Sequence, residues 1–126
     1  MKVLTVKNPW ASLIISGGKD VENRTWKTNY RGRILVHSSI RRDTSCNAYF
    51  RTDWSYVKYV KFLLDVAFDG CVIGSVELAD CVQNSTSRWA EKDMWHWILK
   101  DPKPLVPIPA KGRLGLWEYA LLTDGV

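Results

Sequence analysis

The sequence contains few of the residues that build disulfide frameworks and metal sites. Three cysteines, Cys46, Cys71 and Cys81, make an odd number without a Cys-x-x-Cys pair, which argues against a disulfide framework and a zinc knuckle. Only two histidines are present, and no group of side chains has metal-ligand spacing, so we expect no resident metal and no cofactor. Reduced, mostly buried thiols fit this composition better.

Long apolar runs are also missing. The longest ones fall far short of the ~20 residues that a helix needs to cross a bilayer, and residues 1–6 contain no apolar segment typical of a signal peptide. We therefore expect no membrane association, and a cytoplasmic location, or a nuclear one in a eukaryotic cell. With 126 residues, of which 46% are hydrophobic and 25% charged, the chain suits one domain over residues 1–126. We expect it to be a monomer.

Charge is spread unevenly along the chain. The formal net charge is +5, and residues 19–61 hold ten basic side chains against four acidic ones. The rest of the chain holds eight basic and nine acidic side chains. A surface that faces phosphate has this kind of asymmetry, which favours a nucleic-acid partner. A solvated basic face without a ligand is the alternative that charge leaves open.

Hydrophobic periodicity predicts several short strands and few helices. The predicted strands are residues 2–6, 19–26, 33–39, 71–83 and 114–122. The predicted helical segments are a short helix between Pro9 and Gly17, a second helix over residues 56–68, and helical turns over residues 88–99. Residues 40–54 read as irregular or weakly helical, and the proline-rich residues 101–110 as extended. Because strands and helices do not alternate, we predict an α+β fold, a small and mostly antiparallel barrel flanked by two or three helices.

The segment from Gly17 to Arg24 concentrates charge where the first helix meets the next strand. Gly17 permits the left-handed turn that ends the helix, and Lys19 follows at that turn. Glu22 and Arg24 are two residues apart and therefore share one face of the strand. Three converging charges can line a cleft that binds phosphate. Alternatively, Glu22 and Arg24 form an ordinary surface ion pair, which contributes about 0–1 kcal/mol.

The pattern Gly17-x-Lys19-x-x-Glu22-x-Arg24 resembles the GxKxxExR motif of the ASCH domain family, which is similar in fold to PUA, EVE and YTH domains. The resemblance extends over nearly the whole chain. It includes the helix start at residues 8–13, the turn at residues 26–32, the glycine-containing strand at residues 70–81 and the terminal strand at residues 115–117. The motifs are most similar to ASCH domains of the activating-signal-cointegrator type.

This resemblance implies a PUA-like β-barrel with a cleft beside the first helix, which binds RNA or another single-stranded nucleic acid. In that cleft Lys19 and Arg24 would hold a phosphate, and Glu22 would orient Arg24 or accept from a base edge or a ribose hydroxyl. Trp10 and Trp26 flank the motif and can stack on a base, with core packing as the alternative. The other members of the predicted binding surface are Tyr30, Arg31 and Arg33.

Two other functions stay open. One is an enzyme, a metal-assisted ribonuclease or a nucleoside-processing hydrolase, that uses Lys19, Glu22 and His37 with Mg²⁺ or Mn²⁺. A branch of the family hydrolyses N4-acetylcytidine with a threonine at the position that Glu22 occupies here, and His37 in its apolar strand also suits a structural role. The other is a protein-interaction module whose tryptophans form an exposed patch. The sequence has no recognisable nucleophile–base pair, which favours binding over catalysis.

Overall fold

A computed structural model describes residues 1–45 and 54–120, which form six strands and two helices. The strands are β1 (Lys2–Val6), β2 (Val21–Arg24), β3 (Gly32–Ser38), β4 (Cys71–Val82), β5 (Trp95–Pro109) and β6 (Leu116–Glu118). The helices are α1 (Trp10–Ile15) and α2 (Trp54–Val66). Neither of these two helices has the length and apolar character needed to cross a membrane.

All six strands belong to one sheet, in the order β2-β5-β4-β3-β1-β6. The only parallel pair among them is β1 and β3, with Val3 opposite Leu35 and Val6 opposite Ser38. The sheet curls into a half-barrel. The predicted α+β fold, a mostly antiparallel PUA-like barrel with two or three helices, is confirmed, and two helices lie in the described part of the chain.

The two longest strands, β4 and β5, bend this sheet. Their pairing changes register at three places along β4. Each such irregularity bends a strand and increases its twist. A strand of 12 residues and one of 15 residues therefore pair along a curved surface rather than a flat one.

The core consists of three buried clusters, two of which join the helices to the sheet. The largest packs α1 against one face of the sheet and includes Ile14, Ile34 and Trp97. A second cluster includes Leu13 of α1 and Val60 of α2 and so joins the two helices. The third cluster lies among β1, β3, β4 and β6. Because α1 is fixed on the sheet in this way, its C-terminal end is held beside β2.

The predicted limits of α1 agree with the structure. Asn8 Oδ1 accepts hydrogen bonds from the backbone N–H of Ser12 at 3.0 Å and from the Ser12 hydroxyl at 2.7 Å, as a capping side chain does. Gly17 has a φ of +86°, and the N–H of Lys19 donates to the Leu13 carbonyl at 3.1 Å. The left-handed glycine stop is therefore confirmed. Pro9 is the N-cap residue, and the Asn8 side chain bonds to the first turn from the position before it.

The predicted helical turns over residues 88–99 are wrong. The chain makes turns up to Asp93 and then enters β5, where residues 95–98 pair with β2 on one edge and with β4 on the other. Trp95 and Trp97 are compatible with either structure by spacing alone, and aromatic residues fit a pleated, half-buried surface well. The backbone hydrogen bonds available on both edges decide in favour of the strand.

The proline-rich residues 101–110 are extended, as predicted, and continue β5 as far as Pro109. On its outer edge β5 pairs with β2 only at residues 95–98. Proline lacks the N–H that a second neighbour would need, so it is tolerated on such an edge and also protects it from pairing with another chain.

Some predictions reach beyond the described residues. The irregular segment predicted at residues 40–54 extends into residues 46–53, which are outside the described part. The closing strand predicted at residues 114–122 corresponds to β6, and residues 121 and 122 are outside as well. Cys71 and Cys81 are free and buried, as predicted, whereas Cys46 lies outside the described residues.

Candidate functional site

The three charged residues of the motif lie where α1 meets β2. Lys19 lies in the turn after Gly17, and Glu22 and Arg24 belong to β2. In the pairing with β5, Glu22 is opposite Trp97 and Arg24 is opposite Trp95. Positions two apart on a strand face the same side, so the local backbone brings both charged side chains to one face of the sheet.

Lys19, Glu22 and Arg24 form a buried ion triad. Glu22 Oε1 accepts from Lys19 Nζ at 2.9 Å, and Glu22 Oε2 accepts from Arg24 Nε at 3.2 Å and from Nη2 at 2.9 Å. Glu22 is 8% exposed and Lys19 is 6% exposed. Each carboxylate oxygen therefore has a charged donor, which offsets the desolvation of a buried anion. The alternative interpretation from the sequence, an ordinary surface ion pair between Glu22 and Arg24, therefore does not apply.

The environment of Glu22 also determines its ionisation. Burial by itself raises the pKa of the Glu22 carboxyl, because it penalises the charged form. The charges of Lys19 and Arg24, together with their hydrogen bonds, outweigh burial and hold this pKa below its ordinary value of 4.5. Glu22 is therefore ionised at neutral pH. A general base suited to neutral pH has a pKa near 7 instead.

The two cations of the triad also hold the backbone. Lys19 Nζ donates to the Val21 carbonyl and lies 5.9 Å from the centroid of the Trp10 ring. Arg24 Nη2 donates to the Thr5 carbonyl of β1 at 2.9 Å, although β1 and β2 are not neighbours in the sheet. Arg24 therefore connects β2 to β1 across the open side of the half-barrel. Its Nη1 has no hydrogen-bond partner among the described residues, so this nitrogen is free for a ligand.

A cleft of about 470 Å³, which we call the motif cleft, opens beside the triad. One wall consists of Glu22, Arg24 and Trp26, from β2 and the residues after it. The end of β1 and the loop between β5 and β6 form a second wall. That second wall contributes Thr5, Lys7, Arg113 and Leu114. Three cations and one ionised carboxylate thus line the cleft.

Trp26 lines the motif cleft. Its side chain is on the surface, with the residue 37% exposed. On the protein side it packs edge-to-face against the fully buried Trp97, with ring centroids 4.7 Å apart. Trp97 Nε1 also donates to the Trp26 carbonyl at 3.3 Å. The Trp26 ring therefore packs on Trp97 on one side and stays partly accessible to solvent, as stacking on a base requires.

Trp10 is half-buried and lines the motif cleft as well. Its Nε1 donates to Asp43 Oδ2 at 2.7 Å, and its ring packs edge-to-face on Trp89 at 6.4 Å. Trp10 therefore combines core packing with a position on the cleft wall. It also lines a smaller cavity of about 140 Å³, together with Lys19, Glu22, Asn23, Trp89 and Glu91.

Tyr30, Arg31 and Arg33 lie elsewhere. The Tyr30 hydroxyl donates to the Arg33 carbonyl at 3.1 Å. Arg31 pairs with Asp80 at 3.4 Å, and Arg33 pairs with Asp101 at 2.6 Å. None of the three lines the motif cleft, and both arginines have acidic partners. Arg31 and Arg33 therefore add no unpaired positive charge to the motif cleft.

His37 is also separate from the triad. It is 1% exposed, its Nε2 donates to the Ala110 carbonyl at 2.6 Å, and its ring packs edge-to-face on Trp117 at 5.8 Å. His37 Nδ1 is buried and has no hydrogen-bond partner in the described part of the chain. The structure therefore does not bring His37 to Lys19 and Glu22, and its contacts fit a structural role.

Sequence reasoning missed two cations of the motif cleft, Lys7 and Arg113. Lys7 comes between β1 and the capping residue Asn8, so the predicted strand–helix junction could have placed it near the motif. Arg113 had no such local signal. The pairing of β6 with β1, together with contacts of Ala110 and Gly112, brings the loop that carries Arg113 to the cleft.

Comparison with known proteins shows the family of this chain. Residues 4–110 match the ASCH domain family, and the chain belongs to this family, which is linked to RNA binding and processing. Activating signal cointegrator 1 of Homo sapiens and that of Mus musculus are each 30% identical to the chain over 128 residues, which covers 91% of it. The matched region is 22% of each relative, so the chain spans about a fifth of their length.

A solved structure gives an independent comparison of the fold. The crystal structure of a mutant of ZmASCH from Zymomonas mobilis matches with a TM-score of 0.52 at 18% identity. The match covers 86% of this chain and 74% of that chain. At this identity the comparison supports the fold alone.

Proposed function

We propose that the chain binds single-stranded RNA, or a nucleotide within it, in the motif cleft. The observation that carries this proposal is a cleft lined by two members of the buried triad, Glu22 and Arg24, and by the accessible Trp26. Cations next to an aromatic face suit the two parts of a nucleotide, since cations attract phosphate and the ring stacks on a base.

The contacts of the triad separate the residues that hold the site in place from those that can contact a ligand. Lys19 and Glu22 are buried and bonded to each other, so their main effect is to hold Arg24 in place. The groups left to contact a ligand are Arg24 Nη1, the ring of Trp26, and the side chains of Lys7 and Arg113. This arrangement favours binding over turnover, because the described lining has an ionised, doubly paired carboxylate in place of a nucleophile and its base.

The proposal is tested with fluorescently labelled single-stranded RNA of mixed sequence. Trp26→Ala should weaken binding roughly 5- to 150-fold, which corresponds to about 1–3 kcal/mol of stacking per base. Phe62→Ala is the matched control, because Phe62 is also an exposed aromatic residue, 59% accessible, but lies on α2 outside the motif cleft. Fluorescence anisotropy measures both affinities, and thermal melting checks that both variants are folded.

Salt dependence and RNA integrity complete the experiment. Binding through phosphates requires log K to fall with log salt, with a slope of about −0.7 for each phosphate contacted on a single strand. A flat salt response, or equal affinities of the Trp26 and Phe62 variants, would refute the proposal. If the RNA is cut when Mg²⁺ or Mn²⁺ is added, and the Trp26 variant cuts it less, the ribonuclease alternative is favoured instead.

A further inference from the structure

A second groove adjoins the motif cleft. The 110–115 loop connects β5 to β6, and beside it lies a groove of about 530 Å³, which we call the loop groove. Thr5, Ser39, Arg113 and Leu114 line both the loop groove and the motif cleft. Because the two depressions share these four residues, they adjoin each other, and they offer two neighbouring spaces to a ligand longer than one nucleotide.

The loop groove carries cations without acidic partners. Lys111 and Arg113 are exposed, and within residues 1–45 and 54–120 neither belongs to an ion pair. Arg31 and Arg33, in contrast, are both paired with aspartates. Exposed cations that line a groove and have no counter-ion attract an anionic ligand such as phosphate.

Apolar side chains lie next to these cations. Ile40 is 76% exposed and Leu114 is 98% exposed, and both line the loop groove. Covering a large exposed apolar side chain with a flat apolar group is favourable, because apolar surface is removed from water. The loop groove therefore suits a ligand that has both a phosphate and a base, which is a nucleotide.

The 110–115 loop is fixed to the protein beneath it. The Ala110 N–H donates to the Gly70 carbonyl at 3.0 Å, and His37 Nε2 donates to the Ala110 carbonyl at 2.6 Å. Gly112 lies directly against the imidazole, since a Cβ at this position would be 2.9 Å from His37 Cε1. Lys111 and Arg113 flank this contact, so their backbone is held in place before any ligand arrives, which reduces the entropic cost of binding.

From these observations, and resting on the proposed function, we infer that the loop groove binds a second nucleotide of the strand whose first nucleotide occupies the motif cleft. Lys111 and Arg113 contact the phosphates of that strand. Arg113 lines both depressions and is therefore near the linkage between the two nucleotides. The ligand is accordingly an oligonucleotide, and a free mononucleotide fills only half of the site.

The test compares ligands of different length. Nucleoside 5′-monophosphates and RNA oligomers of two to eight nucleotides compete with a labelled oligomer, and oligomers should bind more tightly than monophosphates. Lys111→Ala should weaken oligomers alone and reduce the salt slope by about 0.7. Lys103→Ala is the matched control. It removes another exposed lysine, which lies near Asp101, at 3.6 Å, and lines neither depression.

Gly112→Ala provides a second variant that keeps every charge. Its added methyl group must push the 110–115 loop away from the His37 ring, and we expect the same selective loss of oligomer affinity, with melting as the check on folding. Equal affinities for monophosphates and oligomers, or an equal loss of both in Lys111→Ala, would overturn the inference. The inference would also be overturned if polyglutamate competed with the labelled oligomer as well as RNA of the same charge does. If the unmodified protein binds neither monophosphates nor RNA, the proposed function itself fails.

Discussion

Glu22→Gln should destabilise the protein far more than its small change in shape suggests. The substitution keeps the size of the side chain but removes the negative charge that two cations share. The amide NH₂ of glutamine replaces one of the two oxygens that accept from Lys19 and Arg24. Because this group is a donor, it faces another donor and the hydrogen bonds on that side are lost. Lys19, which is 6% exposed, is then a buried cation without a neutralising partner.

The magnitude follows from the burial of the triad. Removing one member of a buried ion pair costs about 3–5 kcal/mol, because the remaining charge stays desolvated. A small protein loses roughly 1–3 kcal/mol of stability per molar urea. We therefore expect the urea midpoint to fall by roughly 2 M, with an unchanged slope. Such a loss is a large fraction of the ~5–15 kcal/mol by which domains are stable.

Glu118→Gln is the matched control for this experiment. Glu118 also forms ion pairs, with Lys2 at 3.1 Å and with the amino terminus at 3.3 Å, but its side chain is 67% exposed. Water screens such pairs, so the midpoint should stay within the error of the measurement. Circular dichroism measures the urea midpoint of each variant. Equal shifts in the two midpoints would show that burial does not determine how much the triad contributes to stability, and our reasoning would be refuted.

Two further predictions concern the ionisation of Glu22 and the buried hydroxyl of Ser38. The carboxylate of Glu22 has a folded-state pKa below 4.5, so its stabilising effect is fully present above the ordinary pKa and is lost as pH falls through the folded value. The gap in urea midpoint between the unmodified protein and Glu22→Gln should therefore be constant near neutral pH and narrow below pH 4.5, and a constant gap at all pH values would contradict this. Ser38→Ala should cost about 1–3 kcal/mol in thermal or urea unfolding, because the fully buried Ser38 hydroxyl donates to the Phe68 carbonyl and accepts from the Cys71 N–H, and both backbone groups would lose a partner. Thr86→Ala, an exposed hydroxyl, should leave stability unchanged.

The triad and the rest of the cleft have different tolerance to substitution. Lys19, Glu22 and Arg24 support the fold and the site at once, since Arg24 also bonds the Thr5 carbonyl of β1. Loss of function after changing any of them therefore does not separate binding from folding. Trp26 and Lys111 are accessible, and their variants test ligand contact more directly.

Local chemistry in the sequence was sufficient to predict that Lys19, Glu22 and Arg24 lie close together. Gly17 ends α1, Lys19 follows it, and the two-residue period of a strand brings Glu22 and Arg24 to one side. All of these relations act within eight residues, where backbone geometry leaves few alternatives. Long strands with a clear apolar pattern, such as β4, were predictable for the same reason.

Tertiary structure decided the features that depend on distant partners. The tryptophans of residues 88–99 suited a helix or a strand, and the pairing of β5 with β2 and β4 selected the strand. The basic side chains of Arg31 and Arg33 looked free in the sequence, but the fold pairs them with Asp80 and Asp101.

The sequence by itself therefore placed Lys19, Glu22 and Arg24 close together, because turn chemistry and the strand period operate over a few residues, and the motif resemblance indicated the family. That the three side chains form a buried triad was decided by the fold. Only the folded sheet decided which cations stay unpaired beside the triad. Arg113 reaches the motif cleft because β6 pairs with β1, and Lys111 is displayed because Gly112 packs on His37. Strand register and close packing between distant segments set these positions, and no local pattern in the chain encodes them.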